Sequence, residues 1–169
     1  MYRPQLQSKW WLLLLFAALY YFFYSFDFTQ LFSADTLEAL ESSDSVSANA
    51  FAGIGAAAIL PALIQNFIAN GLAEEIFFRG FLCKRLCAHF GSTGGILLQA
   101  GLFGIMHNAI YLIAGISIGL GAHLILFFFT ATGALLLATL NEKLYNGSLL
   151  PSVLLHGLGN FITTMLVAF

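Results

Sequence analysis

The stretch GLAEEIFFRGFL, residues 71–82, places Glu74, Glu75 and Arg79 inside one of the most apolar parts of the chain. Charged residues make up only 8% of the 169 residues, whereas apolar residues make up 60%. A soluble domain usually carries about a quarter of charged residues, because its surface must be hydrated. The shortage of charge therefore predicts an integral membrane protein, with the three charges of this stretch at membrane depth.

The apolar runs around this stretch predict a single domain, residues 1–169, with an all-α fold. A span needs roughly 20 residues, so we expect a polytopic transmembrane helix bundle of about five spans enclosing a polar site. The runs lie at residues 10–26, 46–89, 96–113, 118–140 and 149–169. Polar loops are expected at residues 27–49 and 141–148, and tight turns at residues 89–95 and near Gly115.

The basic residues predict the orientation of the bundle. With five spans and a cytoplasmic N-terminus, the acidic loop 27–49 lies outside the cell, and every basic residue except Arg79 lies on the cytoplasmic side. Those cytoplasmic residues are Arg3, Lys9, Lys84, Arg85 and Lys143. The net charge of −2 says nothing about nucleic acid, but the lack of a basic cluster indicates no nucleic-acid partner.

The three charged residues of the stretch 71–82 are expected to have two different roles. Each costs about 2.5–3.5 kcal/mol at the centre of a membrane helix if it has no partner. Glu75 and Arg79 stand four residues apart with the acid first, which favours an ion pair. Glu74 is rotated by about 100° from Glu75 on a helix, so we expect it to face a cavity.

Three further polar residues are predicted to lie at a similar depth. His107 ends the sequence FGIMH, while His156 and Asn160 stand one turn apart in HGLGN. At 1.5 Å per residue, each histidine lies about 15–20 Å from the cytoplasmic end of its helix, close to the depth of Glu74. A carboxylate, two imidazoles and a carboxamide supply a base for water and donors for an oxyanion, as water-dependent acyl transfer requires.

Three motifs in this order resemble those of a known family. EEIFFRG, FGIMH and HGLGN resemble the EExxxR, FxxxH and HxxxN motifs of the CAAX protease and bacteriocin-processing (CPBP, or Abi) family of intramembrane proteases. The motif-bearing core covers residues 71–165. The resemblance implies a glutamic-type endopeptidase that cleaves a membrane-associated protein or peptide in the bilayer. CAAX-type, leader-peptide and C-terminal sorting-signal substrates all stay open.

The resemblance also implies a role for each site residue. Glu74 would be the general base, assisted by His107, and His156 with Asn160 would stabilise the oxyanion. Arg79 would hold Glu75 and the local architecture. The implied catalytic residues are Glu74, His107, His156 and Asn160, and the supporting residues are Glu75, Arg79 and Phe103.

The family has also been described as zinc-dependent, with Glu74, His107 and His156 as the implied ligands. Two histidines and a glutamate form a legitimate catalytic zinc shell. The chain has no H-E-x-x-H sequence, however, and a glutamate-type mechanism needs no metal. We therefore favour an enzyme without a metal or other cofactor.

Two other functions are compatible with intramembrane charge. A proton-coupled transporter would use Glu74 and the histidines as a relay, but five spans without an inverted repeat disfavour it. A non-catalytic immunity or scaffold protein would not need the complete motif set. The preferred prediction is an enzyme in a bacterial or archaeal inner membrane. The sequence does not predict its number of subunits.

Overall fold

The computed structural model describes residues 10–26 and 28–169. Within these residues every regular element is a helix, which confirms the all-α prediction. Arg3, Lys9 and Asp27, which the predictions of orientation and of the acidic loop used, lie outside the described residues.

Six α-helices, three π-helical segments and three 3₁₀ turns follow one another in this part of the chain. The α-helices are α1 (Trp10–Tyr24), α2 (Ala34–Glu41), α3 (Ile59–Leu63), α4 (Lys84–Ile113), α5 (Leu120–Thr139) and α6 (Leu150–Ala168). The π-helical segments are Ile64–Leu72, Glu75–Cys83 and Leu140–Leu144, and the 3₁₀ turns are Phe28–Leu31, Asn49–Phe51 and Gly55–Ala58. Helix α2 lies in the predicted polar loop 27–49.

The described residues contain three helices that are long and apolar enough to cross a membrane, so the predicted count of five spans is not confirmed. They are Gly55–Ile113, Leu120–Leu144 and Leu150–Ala168. Helix α1, with 15 residues, is about 22 Å long and falls short of a hydrocarbon core of about 30 Å. The runs predicted at residues 46–89 and 96–113 fall largely within the first of these three, Gly55–Ile113, which non-helical backbone angles at Gly91 divide into two helices.

That long stretch is bent sharply at Gly91. Its backbone angles, φ 74° and ψ 162°, lie in a region that residues with a side chain rarely adopt. Beyond the bend the chain folds back on itself, and a Cβ atom on Gly95 would lie only 2.3 Å from the backbone nitrogen of Cys87. The predicted turn at residues 89–95 is confirmed, and Gly115, with φ 71°, forms the predicted turn between α4 and α5.

We call residues 59–90, from the start of α3 to the bend, the motif helix, because they carry the sequence quoted at the outset. Its buried side is a stripe at intervals of four or five residues, which a π-helical backbone brings into one line. We call this line the buried stripe. Its members are Ala62, Asn66, Gly71, Glu75, Arg79 and Cys83.

Helix α6 packs closely against the motif helix in antiparallel orientation. A Cβ atom on Gly71 would lie 3.4 Å from the Cα atom of Gly157, so the two backbones nearly touch. Nearby, the Asn66 carboxamide donates a hydrogen bond to the Thr164 hydroxyl at 3.0 Å. This close crossing carries the side chains of α6 onto the buried stripe.

The cytoplasmic end predicted for the motif helix is tied to the loop after α5. The Lys84 ammonium group lies 2.6 Å from the Glu142 carboxylate and donates to the Gly147 carbonyl at 3.0 Å. Residues 84 and 141–148 therefore lie at the same end of the bundle, as the charge pattern requires.

The bend gives a first testable prediction. Gly95→Ala places a methyl group against the backbone of Cys87, which no side-chain rotation relieves, so we expect a loss of about 1–3 kcal/mol. Gly101→Ala is the matched control in the same helix, because a Cβ atom there meets nothing within 4 Å. The thermal unfolding midpoint of the purified protein in detergent should fall for Gly95→Ala and not for Gly101→Ala. Equal midpoints would contradict the close packing at the bend.

Candidate active site

The site is built around the carboxylate of Glu75, which is fully buried on the motif helix. Its Oε1 atom lies 3.1 Å from the Arg79 guanidinium and 2.9 Å from Nδ1 of His156 on α6. A buried charge is tolerated only when it is paired and hydrogen-bonded. Oε1 of Glu75 meets that requirement with one partner on its own helix and one on the helix that crosses it, whereas Oε2 makes no hydrogen bond to a described residue.

The hydrogen bond to Glu75 fixes the ring of His156. A carboxylate only accepts hydrogen bonds, so Nδ1 of His156 carries the hydrogen and donates it. Nε2 then points to the other glutamate, 3.9 Å from Oε2 of Glu74. The side chain of Glu74 is 28% exposed, in contrast to its fully buried neighbour.

His107 is held in the same way by the backbone of its own helix. Its Nδ1 lies 3.0 Å from the carbonyl oxygen of Phe103, which can only accept, so Nδ1 carries the hydrogen. In the neutral ring Nε2 keeps a free lone pair, which is the form that accepts a proton.

The apolar ring of Phe103 lies between Arg79 and the two histidines. The Arg79 guanidinium carbon lies 4.4 Å from the centre of the Phe103 ring, in a cation–π contact. The same ring lies 4.3 Å from the His107 ring and 6.3 Å from the His156 ring, measured between centres. Phe103 thus separates the two histidines and covers the guanidinium.

Asn160 lies one turn beyond His156 on α6 and is partly buried. Its backbone carbonyl accepts a hydrogen bond from the Thr164 hydroxyl at 2.9 Å. Its carboxamide makes no hydrogen bond to any residue that the structure describes, so its donors are open to a ligand. All seven residues singled out from the sequence lie on the motif helix, α4 and α6. Glu75 contacts Arg79 and His156, and the Phe103 ring joins His107 to this group.

The sequence interpretation missed a buried polar pair near His156. The Asn141 carboxamide donates to the Ser152 hydroxyl at 2.7 Å, and that hydroxyl donates to the Leu149 carbonyl at 3.0 Å. Both residues are fully buried. Ser152 stands one turn before His156, and this spacing was the signal that could have revealed it.

Glu74 and the two histidines are of residue types that bind metal ions, but their spatial arrangement does not suit a metal site. Glu74, His107 and His156 supply donors that zinc accepts, and both histidines bind other groups through Nδ1, as zinc-bound histidines commonly do. Within residues 10–26 and 28–169, however, no three His, Cys, Asp or Glu side chains are grouped so that they could hold a metal ion. The described side chains therefore do not form a zinc site.

Comparison with known families identifies the chain. A family model described as type II CAAX prenyl endopeptidase Rce1-like matches residues 56–162, more than half of the chain. The chain belongs to this family. The predicted relationship to the CAAX protease and bacteriocin-processing proteases is thereby confirmed. The chain matches no curated protein and no solved structure.

Membership of the Rce1-like family indicates that the protein is an endopeptidase. Together with the three long apolar helices, it makes the chain an integral membrane protein of an endopeptidase family. The matched region begins just before the motif helix and ends within α6. It contains all seven site residues and excludes α1 and α2.

The buried pair gives the second prediction. Arg79→Ala leaves the Glu75 carboxylate buried beside His156 without its countercharge, and removing one partner of such a pair costs about 3–5 kcal/mol. We expect a lower thermal midpoint in detergent and less protein in the membrane fraction. Glu74→Gln is the control, because this partly exposed side chain forms no ion pair with Arg79. An unchanged midpoint for Arg79→Ala would show that the pair does not stabilise the fold.

Proposed function

We propose that the chain is an intramembrane endopeptidase in which Glu74 activates water without a metal ion. The observation that supports this best is the contrast between two adjacent glutamates. Glu75 is fully buried and occupied by Arg79 and His156, whereas Glu74 is partly exposed and faces Nε2 of His156. A carboxylate kept accessible in such a site is suited to take a proton from water.

In the proposed first step, water enters beside Glu74 and attacks the carbonyl carbon of the scissile peptide bond. Glu74 takes one proton from the water as the new C–O bond forms. The carbonyl oxygen becomes an oxyanion, which needs donors aimed at its position. The Asn160 carboxamide supplies one, and Nε2 of His156 supplies another when the ring is protonated.

The hydrogen bond from His156 to Glu75 bears on this role. Nδ1 already donates to Glu75, so a hydrogen on Nε2 makes the ring an imidazolium. The negative Glu75 carboxylate stabilises that positive charge directly. The charged ring is a stronger donor to an oxyanion than a neutral one. Glu75 is thus proposed to act on the reaction through His156, as well as through its pair with Arg79.

In the second step the C–N bond breaks, and the proton held by Glu74 passes to the departing amine. His107 is proposed to assist, because its Nε2 lone pair can accept a proton while Nδ1 remains bonded to the Phe103 carbonyl. The products are one new carboxylate and one new amine. No redox partner is required.

The proposed substrate is a membrane-associated protein or peptide with its cleavage site at the depth of Glu74. A prenylated C-terminal CAAX segment, a leader peptide and a C-terminal sorting helix each present such a bond. We propose a bacterial or archaeal inner membrane with a cytoplasmic N-terminus, because the basic residues then gather on the cytoplasmic side.

The third prediction concerns the base. Glu74→Gln removes the proton acceptor with almost no change in shape, so cleavage of a co-expressed membrane-anchored substrate should fall by about 10²- to 10⁴-fold. Glu38→Gln on the exposed face of α2 is a matched control and should cleave normally. The Glu74→Gln protein should still accumulate in the membrane. Normal cleavage by Glu74→Gln would remove this residue as the base.

The fourth prediction concerns metal dependence. Purified protein shown by elemental analysis to contain no zinc, and treated exhaustively with a chelator, should keep its full rate of peptide cleavage. If activity disappears and returns on addition of zinc, the metal-free mechanism is wrong and the ligand set Glu74, His107 and His156 must be tested instead.

A further inference from the structure

A row of polar side chains leads along the motif helix to Glu74. Gln65, Asn70 and Glu74 each immediately precede a residue of the buried stripe, and each is partly exposed. Their spacings of five and four residues equal those of the stripe in this π-helical region, so the three side chains lie in one line beside it. We call Gln65 and Asn70 the amide row.

The two amides are joined and still have free hydrogen-bonding groups. Nε2 of Gln65 donates to Oδ1 of Asn70 at 3.3 Å. In the described part of the chain no hydrogen bond occupies the Asn70 amide hydrogens or the Gln65 carbonyl oxygen. The row therefore presents both donors and an acceptor, one turn and two turns away from Glu74.

A second carboxamide lies at the same level on the helix opposite. The antiparallel packing of α6 is fixed by the Asn66–Thr164 hydrogen bond at one point and by the Glu75–His156 hydrogen bond at another. Asn70 lies between these points on the motif helix, and Asn160 lies between them on α6. Asn160 on α6 and Asn70 of the amide row therefore lie between the same two contact points of the packed helices.

Such groups are costly if nothing binds them. An amide facing hydrocarbon loses its hydration, and apolar neighbours such as Ile64 and Ile68 already cover the lipid-facing side of this helix. A protease substrate has the complementary problem, because a segment unwound for cleavage exposes its own N–H and C=O groups within the membrane. Alternating donors and acceptors along a peptide main chain match a row that offers both.

We propose that the amide row binds the main chain of an extended substrate segment, next to the bond that is cleaved at Glu74. This inference rests on the proposed peptidase function and names a binding site for it. The rise per residue of a π-helix is smaller than the α-helical rise of about 1.5 Å, so the row extends at most about 13 Å from Glu74, while an extended chain advances about 3.3 Å per residue. The row therefore contacts at most about four substrate residues on one side of the scissile bond.

Main-chain recognition also implies a type of selectivity. Because amides of the row would read backbone groups, they discriminate little between side chains and strongly between an extended and a helical segment. We therefore expect substrates to share local unwinding on that side of the cleavage site rather than a fixed sequence there.

The test uses a fluorescein-labelled farnesylated peptide with a C-terminal CAAX sequence, and a labelled single-span peptide as a second probe. The peptide that the native protein cleaves then serves to measure KM and kcat for the variants Asn70→Leu and Gln65→Leu. We expect KM to rise by about fivefold to thirtyfold with a smaller change in kcat. Asn108→Leu is the matched control, an intramembrane asparagine outside the row, which bonds His123 at 2.7 Å.

A backbone substitution in the peptide separates binding from a structural effect. Replacing single substrate amides by esters removes one N–H group at a time. At one position the ester should weaken binding to the native row severalfold and should cause no further loss in Asn70→Leu. If Asn70→Leu does not accumulate, the ester scan on the native protein still tests the row, since the absence of any sensitive position within four residues of the cleavage site overturns it.

Peptide binding to the Glu74→Gln variant distinguishes the two proposals. Binding that weakens when Asn70→Leu is added supports the row, even if no cleavage by the native protein is observed. Binding or KM that is unchanged by Asn70→Leu, or that changes equally in Asn108→Leu, overturns the row while leaving the peptidase proposal intact. If neither peptide binds Glu74→Gln, the row is likewise rejected.

Discussion

The buried carboxylate of Glu75 is the group on which the rest of the site depends. It holds a cation from its own helix, Arg79, and an imidazole from a distant helix, His156. Leaving either partner unpaired in a low-dielectric interior is costly, so the two helices are constrained to cross at this level. The same carboxylate also fixes the tautomer of His156, and thereby the direction in which Nε2 points.

The π-helical backbone makes this arrangement possible. In an ordinary α-helix, residues four or five apart drift around the axis, and a line of contacts soon leaves the helix interface. In the segment Ile64–Leu72 the wider turn keeps the buried stripe against α6, and in Glu75–Cys83 the stripe turns towards α4. Its neighbours, Gln65, Asn70 and Glu74, are thereby kept in a second line, partly exposed, beside the first.

The two lines give the adjacent glutamates different surroundings. Glu75 is buried and paired, and Glu74 borders an accessible polar strip in a helix otherwise surrounded by apolar side chains. Intramembrane proteolysis needs both properties, because a hydrated reaction centre must be held in a framework that excludes lipid and solvent elsewhere. Small residues serve this end, since Gly71 and Gly157 let the backbones approach closely enough for Glu75 to reach His156.

Composition and motif order were sufficient to predict an all-α membrane protein and its protease family. Local spacing also pointed to the turns at Gly91 and Gly115, because only glycine adopts their backbone angles readily. The span count could not be obtained in this way, since hydropathy does not reveal that helix α1 has only 15 residues. Spacing along one helix identified Arg79 as a partner of Glu75, whereas Ser152, Asn141 and the second partner, His156, come from other helices. Those contacts depend on how the helices cross, and only the tertiary structure decided them.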